Sequence, residues 1–347
     1  MNEGKSATHI RVRRSGPASN WSRRKVVVTG AGGFIGSHLV SLLLSEGADV
    51  TAFVRYNSRG EKGLLRYVPV DGPGTLSVVA GDIRDGRAVR ELVRGAETVF
   101  HLAALIGIPY SYANPTDVVT TNVLGTLNVL NAALDEGRPR VIHTSTSEVY
   151  GTAQYVPIDE LHPLQGQSPY SASKIGADKL AESYYRSFGL EITTVRPFNA
   201  YGPRQSARGV IPTIISQALS GDAIRLGATD TRRDFTFVED TARGFLLAAQ
   251  SEAAIGDVVN VGSGTEITVA AVVDEVCRIV GREPVVELDE KRLRPSGSEV
   301  ERLLCDRRKA KGLMGWAPAV GFAEGLRRTV DWVATHPDMY PTYAYAV

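Results

Sequence analysis

The chain has 347 residues, which at about 150 residues per domain predicts two domains, or one large domain with a satellite. Apolar residues make up 43% and charged residues 22%, a globular balance that excludes wholesale disorder, and no run nears the ~18 apolar residues of a membrane span. Net charge is +1, but residues 1–25 carry seven Lys/Arg and one acid, so the remainder is −5 and does not suggest a nucleic-acid-binding body. The head, residues 1–23, reads as a solvated basic tail. It lacks the apolar core of a secretory signal, and a cytoplasmic protein is the expectation.

Strands then alternate with helices. Lys25–Thr29 is a β-branched run suited to a strand buried on both faces. A glycine-rich turn follows. Leu39, Val40, Leu43 and Leu44 then mark one face of a helix over 37–46, stopped by Gly47. Strands are predicted at 50–54, 77–80, 98–102, 141–145, 191–196 and 258–261. Helices are predicted near 87–94 and over 122–136 and 169–188. This alternation predicts an α/β fold, a doubly wound parallel Rossmann sheet. From about 203, Pro, Gly and Arg become frequent, and helices at 208–220 and 268–280 are separated by long connections. The expected organisation is a dinucleotide-binding unit of 24–202 plus 236–264, the latter holding a returning strand. A smaller, interleaved substrate-binding unit covers 203–235 plus 265–347. Cys277 and Cys305 form no disulfide framework and lie in no metal-type spacing, so no metal is expected.

Gly30, Gly33 and Gly36 sit between an apolar strand and an amphipathic helix. That context converts a common spacing into a phosphate loop. Glycine admits the tight turn and close backbone approach, and the helix N-terminus offers free N–H groups to a pyrophosphate. An acid at the end of the second strand would hold an adenosine 2′-hydroxyl. Here that position is Val54, followed by Arg55, Asn57 and Ser58. This composition favours NADP over NAD without excluding NAD. Asp82 and Ile83 are placed to flank the adenine.

Tyr170 and Lys174 stand one helical turn apart on one face. A lysine ammonium near a phenol should lower its pKa and make it a base. The strand at 141–145 runs into Thr146-Ser147-Glu148, at the edge where ligands bind in such sheets.

With His101-Leu-Ala-Ala104, Asn122-Val-Leu-Gly-Thr126, Arg196-Pro-Phe-Asn199-Ala-Tyr201 and Arg233-Asp-Phe-Thr-Phe-Val-Glu-Asp240, the chain from about 24 to 335 resembles the extended short-chain dehydrogenase/reductases of nucleotide-sugar metabolism. The resemblance implies cofactor contacts from Phe34, Ile35, Leu102, Ala103, Ala104 and Pro197. It implies substrate contacts from Asn199, Arg233 and Arg294, with Arg204 a further candidate, because arginine's planar fork suits a diphosphate. It also implies a homodimer through helices such as 122–136 and 169–188.

Glu148 divides the family. The 4-epimerases usually have a small or apolar residue there, whereas dehydratases need a base for the C5 proton. The dTDP-glucose 4,6-dehydratases carry Asp before that Glu, and this chain has Ser147, as in GDP-mannose dehydratases. Residues 143–206 most resemble the UDP-N-acetylglucosamine 4,6-dehydratases of the legionaminic-acid type. The expected reaction is therefore C4 oxidation by Tyr170, Lys174 and Thr146, then C5 deprotonation by Glu148. Water leaves from C6 with help from Glu148 or Ser147, and the cofactor is recycled. The alternatives are a UDP-sugar 4-epimerase, a UDP-glucuronate decarboxylase, a 5,6-dehydratase giving an exocyclic alkene, and a catalytically silent binding member.

Overall fold

The computed structural model describes residues 20–293 and 295–341. Its strands are β1 (Lys25–Thr29), β2 (Asp49–Arg55), β3 (Thr75–Gly81), β4 (Thr98–His101), β5 (Arg140–Thr144), β6 (Ile192–Pro197), β7 (Asn199–Tyr201), β8 (Ala223–Leu226), β9 (Arg232–Phe237), β10 (Val258–Val261), β11 (Glu266–Thr268) and β12 (Val285–Leu288). Its helices are α1 (Phe34–Ser45), α2 (Gly86–Val93), α3 (Ile108–Ala113), α4 (Pro115–Val119), α5 (Gly125–Asp135), α6 (Pro169–Phe188), α7 (Val210–Ser220), α8 (Val238–Gln250), α9 (Val269–Val280), α10 (Arg308–Met314) and α11 (Phe322–Thr335).

Seven strands form one sheet in the order β3-β2-β1-β4-β5-β6-β10, and every pairing in it is parallel. Val26, Val27 and Val28 are all nearly inaccessible, as a strand covered on both faces requires. On one face α1 and α8 pack together, with Leu39, Leu43, Phe245 and Trp316 in the core. On the other, α2, α5 and α6 bring Val89, Val129 and Ala181. All C-terminal strand ends therefore share one edge. Strand order reverses between β1 and β4, which opens a crevice there.

A second cluster lies beyond that edge. It joins Tyr201, Ile214, Ile224, Phe235, Val272 and Leu326 from α7, α9, α11 and two small sheets, β11-β9-β7 and β12-β8.

Four features depart from the sequence expectations. Trp21, counted in the basic tail, is 1% exposed and packs on Phe100 with ring centroids 5.8 Å apart. The return to the main sheet is not a strand alone: α8 precedes β10, burying Val238, Ala242, Phe245 and Ala249 at helical spacing. Third, α10 and Trp316, assigned to the smaller unit, pack on α8 and β10, with Trp316 Nε1 donating to Asp240 O at 2.9 Å. The expected helix over 122–136 begins instead as a π-turn, Thr120–Leu124, leading into α5.

Candidate active site

Gly30 has φ +68°, and a Cβ there would lie 2.8 Å from the Ala103 amide nitrogen. A Cβ on Gly36 would lie 2.3 Å from Gly30 O. Neither position can carry a side chain, so the turn presses against the end of β4. Thr29 completes the joint: its Oγ1 accepts from the Leu102 and Ala103 amides, both at 3.1 Å. The same hydroxyl bonds His101 Nδ1 at 2.9 Å, and His101 Nε2 meets Thr126 Oγ1 at 3.0 Å. Burial first, then the charges of His143 and Lys174, hold His101 well below its ordinary pKa. The imidazole is therefore neutral and acts as a structural bridge.

Gly33 caps α1 without a side-chain bond, and no acid occupies the first turn. The Phe34, Ile35 and Gly36 amides are the orphan donors of that turn. With the helix dipole they form an anion seat. A dinucleotide pyrophosphate fits this donor set.

At the adenosine end, Arg55 is exposed at the tip of β2, and its charge acts on Asp82 and Tyr110. Asp82 is gripped by the Arg84 fork at 2.6 to 3.1 Å, and this hydrogen bonding holds its carboxyl below the usual range. Arg84 also reaches Asp117 at 3.0 Å. Ile83 is buried against Gly125. Asn57 departs from its expected cofactor role. Its Oδ1 accepts from the Arg59 and Glu61 amides and its Nδ2 donates to Glu61 O, so the amide shapes its own loop. Ser58 lies exposed in that loop.

Helix α6 is sharply started. Ser168 Oγ accepts from the Ser171 amide at 3.1 Å, and Ser171 Oγ accepts from the Ser168 amide at 2.9 Å, a reciprocal capping box with Pro169 at the first position. It ends at Gly189, φ +62°. Tyr170 and Lys174 are 6% and 3% exposed. Lys174 Nζ donates to Thr144 O at 2.6 Å, which ties the helix to the end of β5. There Thr146 caps the short turn Ser147–Tyr150, its Oγ1 accepting from the Glu148 amide at 3.2 Å. Thr146 also hydrogen-bonds the Tyr170 phenol, and the Glu148 charge acts on it. Ser147 is buried, while Thr146 and Glu148 are half-buried. The structure thus brings Thr146, Glu148, Tyr170 and Lys174 together.

The electrostatics correct one expectation. Burial pushes the Tyr170 phenol up, outweighing the Thr146 hydrogen bond, and the charges of Glu148 and Asp178 push it further. Burial pulls Lys174 down to about 8, against the charge of Asp178. Desolvation, rather than the lysine charge, dominates the phenol in the protein itself.

On the substrate side, Asn199 Oδ1 is buried without a hydrogen-bond partner among the described residues, as suits an amide reserved for a ligand. Arg233 is 7% exposed on β9, and its Nη2 donates to Glu299 Oε1 at 3.0 Å. The loop bearing Glu299 is anchored through Ser298, whose Oγ donates to Gln167 O at 2.8 Å. Arg294 lies outside the described residues. Arg204 has a different task from the one expected. Its guanidinium donates to Ser37 O at 3.2 Å, Ser41 Oγ at 3.2 Å and Tyr67 O at 2.8 Å, beside the His38 contact to Pro203 O. It joins α1 to the chain after β7. Pro197 ends β6 half-buried at the shared edge, and Ala104 is half-buried after β4.

Sequence reasoning missed Asp178 and the roles of Asn122, His143 and Arg196. Asn122 sits in the π-turn, accepting from the Leu105 amide at 2.8 Å and donating to Ser173 Oγ at 2.9 Å. Asp178 was detectable in principle, because it repeats the four-residue step from Tyr170 through Lys174.

The family described as GDP-mannose 4,6 dehydratase matches residues 27–329. The chain is 35% identical over 316 residues to a dTDP-glucose 4,6-dehydratase of Streptomyces antibioticus, covering 88% of this chain and 91% of that protein. It is 32% identical over 314 residues to a putative UDP-glucose 4-epimerase of Methanocaldococcus jannaschii, covering 89% and 98%. The structure of DesIV, a dTDP-glucose 4,6-dehydratase from Streptomyces venezuelae with NAD bound, superposes with a TM-score of 0.82 at 32% identity, covering 91% and 98%. With the match running from β1 into α11, the chain belongs to the GDP-mannose 4,6-dehydratase family of extended short-chain dehydrogenase/reductases, the nucleotide-sugar dehydratases and epimerases.

Proposed function

We propose that the chain is a nucleotide-sugar 4,6-dehydratase that makes a 4-keto-6-deoxy sugar nucleotide, with UDP-GlcNAc or a related UDP- or dTDP-hexose as substrate. One observation carries this reading: the Glu148 carboxylate acts on the same phenol that Thr146 hydrogen-bonds. Two acid–base centres therefore share one cleft. Redox isomerisation at C4 needs only the first.

A nicotinamide dinucleotide, its pyrophosphate held by the Phe34, Ile35 and Gly36 amides, would supply the hydride acceptor for C4. Tyr170 takes the O4 proton, and Lys174, pulled down to about 8, is poised to exchange a proton near neutrality. Thr146 orients O4. Once C4 is a ketone, the C5 hydrogen is acidic and Glu148 removes it. The C6 hydroxyl leaves as water after protonation by Glu148 or Ser147, and the hydride taken from C4 would return to C6 with a proton to C5, giving the 4-keto-6-deoxy product and the oxidised cofactor. Asn199, Arg233 and Arg294 hold the diphosphate.

The finer assignments are part of the same proposal. Arg55 at a β2 tip without an acid supports NADP, while NAD is the cofactor named with DesIV; comparing Kd for the two decides. Exposed Leu124 and Phe188, near α5 and on α6, support a homodimer through these helices, which the solution mass tests. No helix among the described residues is long and apolar enough to cross a membrane, and we place the enzyme in the cytoplasm.

The deciding experiment incubates the protein with UDP-GlcNAc, dTDP-glucose, UDP-glucose, GDP-mannose and UDP-glucuronate under mass detection. Loss of one water with a new C6 methyl signal supports the reading. A product of unchanged mass makes the protein a 4-epimerase. Loss of water with a vinylic signal makes it a 5,6-dehydratase, and carbon dioxide from UDP-glucuronate makes it a decarboxylase.

A further inference from the structure

Behind Tyr170 and Lys174 lies a buried polar cluster that the chemistry above does not use. Asp178 follows Lys174 by one turn of α6 and is 5% exposed. Its Oδ1 accepts from His143 Nε2 at 3.1 Å. Its Oδ2 accepts from Ser145 Oγ at 2.7 Å and from Arg196 Nε and Nη2 at 3.2 and 2.9 Å. One carboxylate therefore ties α6 to β5 through His143 and Ser145, and to β6 through Arg196. Ser145 immediately precedes Thr146, so the same clamp sets the Thr146–Glu148 turn against the catalytic helix. Beyond it, Arg196 Nη1 donates to Tyr150 Oη at 3.0 Å, and Tyr150 donates to Asn260 Oδ1 at 2.7 Å.

The charges around Lys174 can be assigned. His101 faces it from β4 and His143 from β5, and burial keeps both below their ordinary pKa, hence neutral. Tyr170 and Asp178 share its helix, and Glu148 faces Tyr170 from the turn. Arg196 faces Asp178 from β6. Burial acts to protonate Asp178, but the His143 hydrogen bond and the Arg196 charge prevail and hold it at about 2, ionised at any working pH. Asp178 is the carboxylate whose charge acts on Lys174, and Arg196 is the cation that offsets it.

We propose that Asp178 is a positioning residue for the Tyr170–Lys174 pair: clamped by His143, Ser145 and Arg196, its carboxylate keeps the Lys174 ammonium charged and fixed on the face of α6 that carries the phenol. The inference rests on the reading that Tyr170 and Lys174 conduct the proton chemistry.

The test titrates Lys174 itself. NMR of the full-length protein with isotope-labelled lysine reads the ammonium without turnover, its signal assigned by its loss in Lys174→Arg. Asp178→Asn leaves Arg196 uncompensated and should move the Lys174 midpoint down by about one pH unit. Arg196→Met leaves Asp178 uncompensated and should move it up by about as much. Ser145→Ala removes a hydrogen bond but no charge and should leave it unmoved. Unmoved midpoints in the two charge variants, or shifts of the same sign, overturn the proposal. If Asp178→Asn does not fold, the upward shift in Arg196→Met decides alone. In a single turnover with a nucleotide sugar, the alkaline limb of nicotinamide reduction should follow the NMR midpoint in each variant. If the midpoints move as stated and the limb does not follow, Lys174 has no part in the proton chemistry, and the Asp178 clamp stands.

Discussion

Replacing Lys174 by methionine separates the energetic cost of the buried ammonium from its chemical use. Lys174 is 3% exposed and is pulled from its ordinary 10.5 down to about 8. At about 1.4 kcal/mol per pH unit, that gap corresponds to about 3 kcal/mol. Below about pH 8, folded and unfolded chains both hold the proton, and the folded chain bears the full cost. Between about pH 8 and 10.5 the unfolded chain keeps a proton that the folded chain releases, so stability rises with pH. Methionine has no such dependence and nearly the same length. It also forgoes the Lys174 bond to Thr144 O, worth about 1 kcal/mol. Lys174→Met should therefore be more stable than the natural chain by about 2 kcal/mol at pH 7, while losing turnover. The natural chain should regain about 3 kcal/mol relative to the variant as pH rises to about 10.5. Urea unfolding of both proteins at matched pH measures the difference, from which other titrating groups largely cancel. A difference that stays flat across this range would falsify the burial argument.

Glu148→Gln should permit C4 oxidation but slow elimination by about 100-fold or more, so reduced nicotinamide accumulates. Product formation at the natural rate in a quenched time course would remove Glu148 from the mechanism. Gly36→Ala sets a Cβ 2.3 Å from Gly30 O, a backbone clash that cannot relax by side-chain rotation. Calorimetric titration should show loss of dinucleotide binding, and retained affinity would contradict the close approach. Arg204→Ala should lower stability by about 1–3 kcal/mol, because it leaves Tyr67 O without its Arg204 donor and removes the ties to Ser37 O and Ser41 Oγ on α1. UDP affinity should be unchanged, and a tenfold loss would return Arg204 to the diphosphate site.

The sequence alone determined what depends on near neighbours. A valine run makes a doubly covered strand, Gly30, Gly33 and Gly36 make a turn that side chains would block, and Tyr170 and Lys174 meet because a helix repeats every 3.6 residues. Even the limits of α6 were readable, since Ser168, Pro169 and Gly189 are local signals. The α8 helix also had its signal, in the spacing of Val238, Ala242, Phe245 and Ala249, but the reading of 236–264 as a segment holding a returning strand obscured it.

Tertiary structure decided whatever depends on distance through space and on exclusion of water. Asp178, Ser145, His143 and Arg196 come from one helix and two strands, and only sheet order makes them one cluster. Arg204 carries the same charge and hydrogen-bonding fork as any phosphate-binding arginine, yet its backbone places that fork on α1. The ionisation of Tyr170 turned on burial as well. Spacing revealed the lysine nearby, but the desolvation that pushes the phenol up exists only once the helix is packed against the sheet.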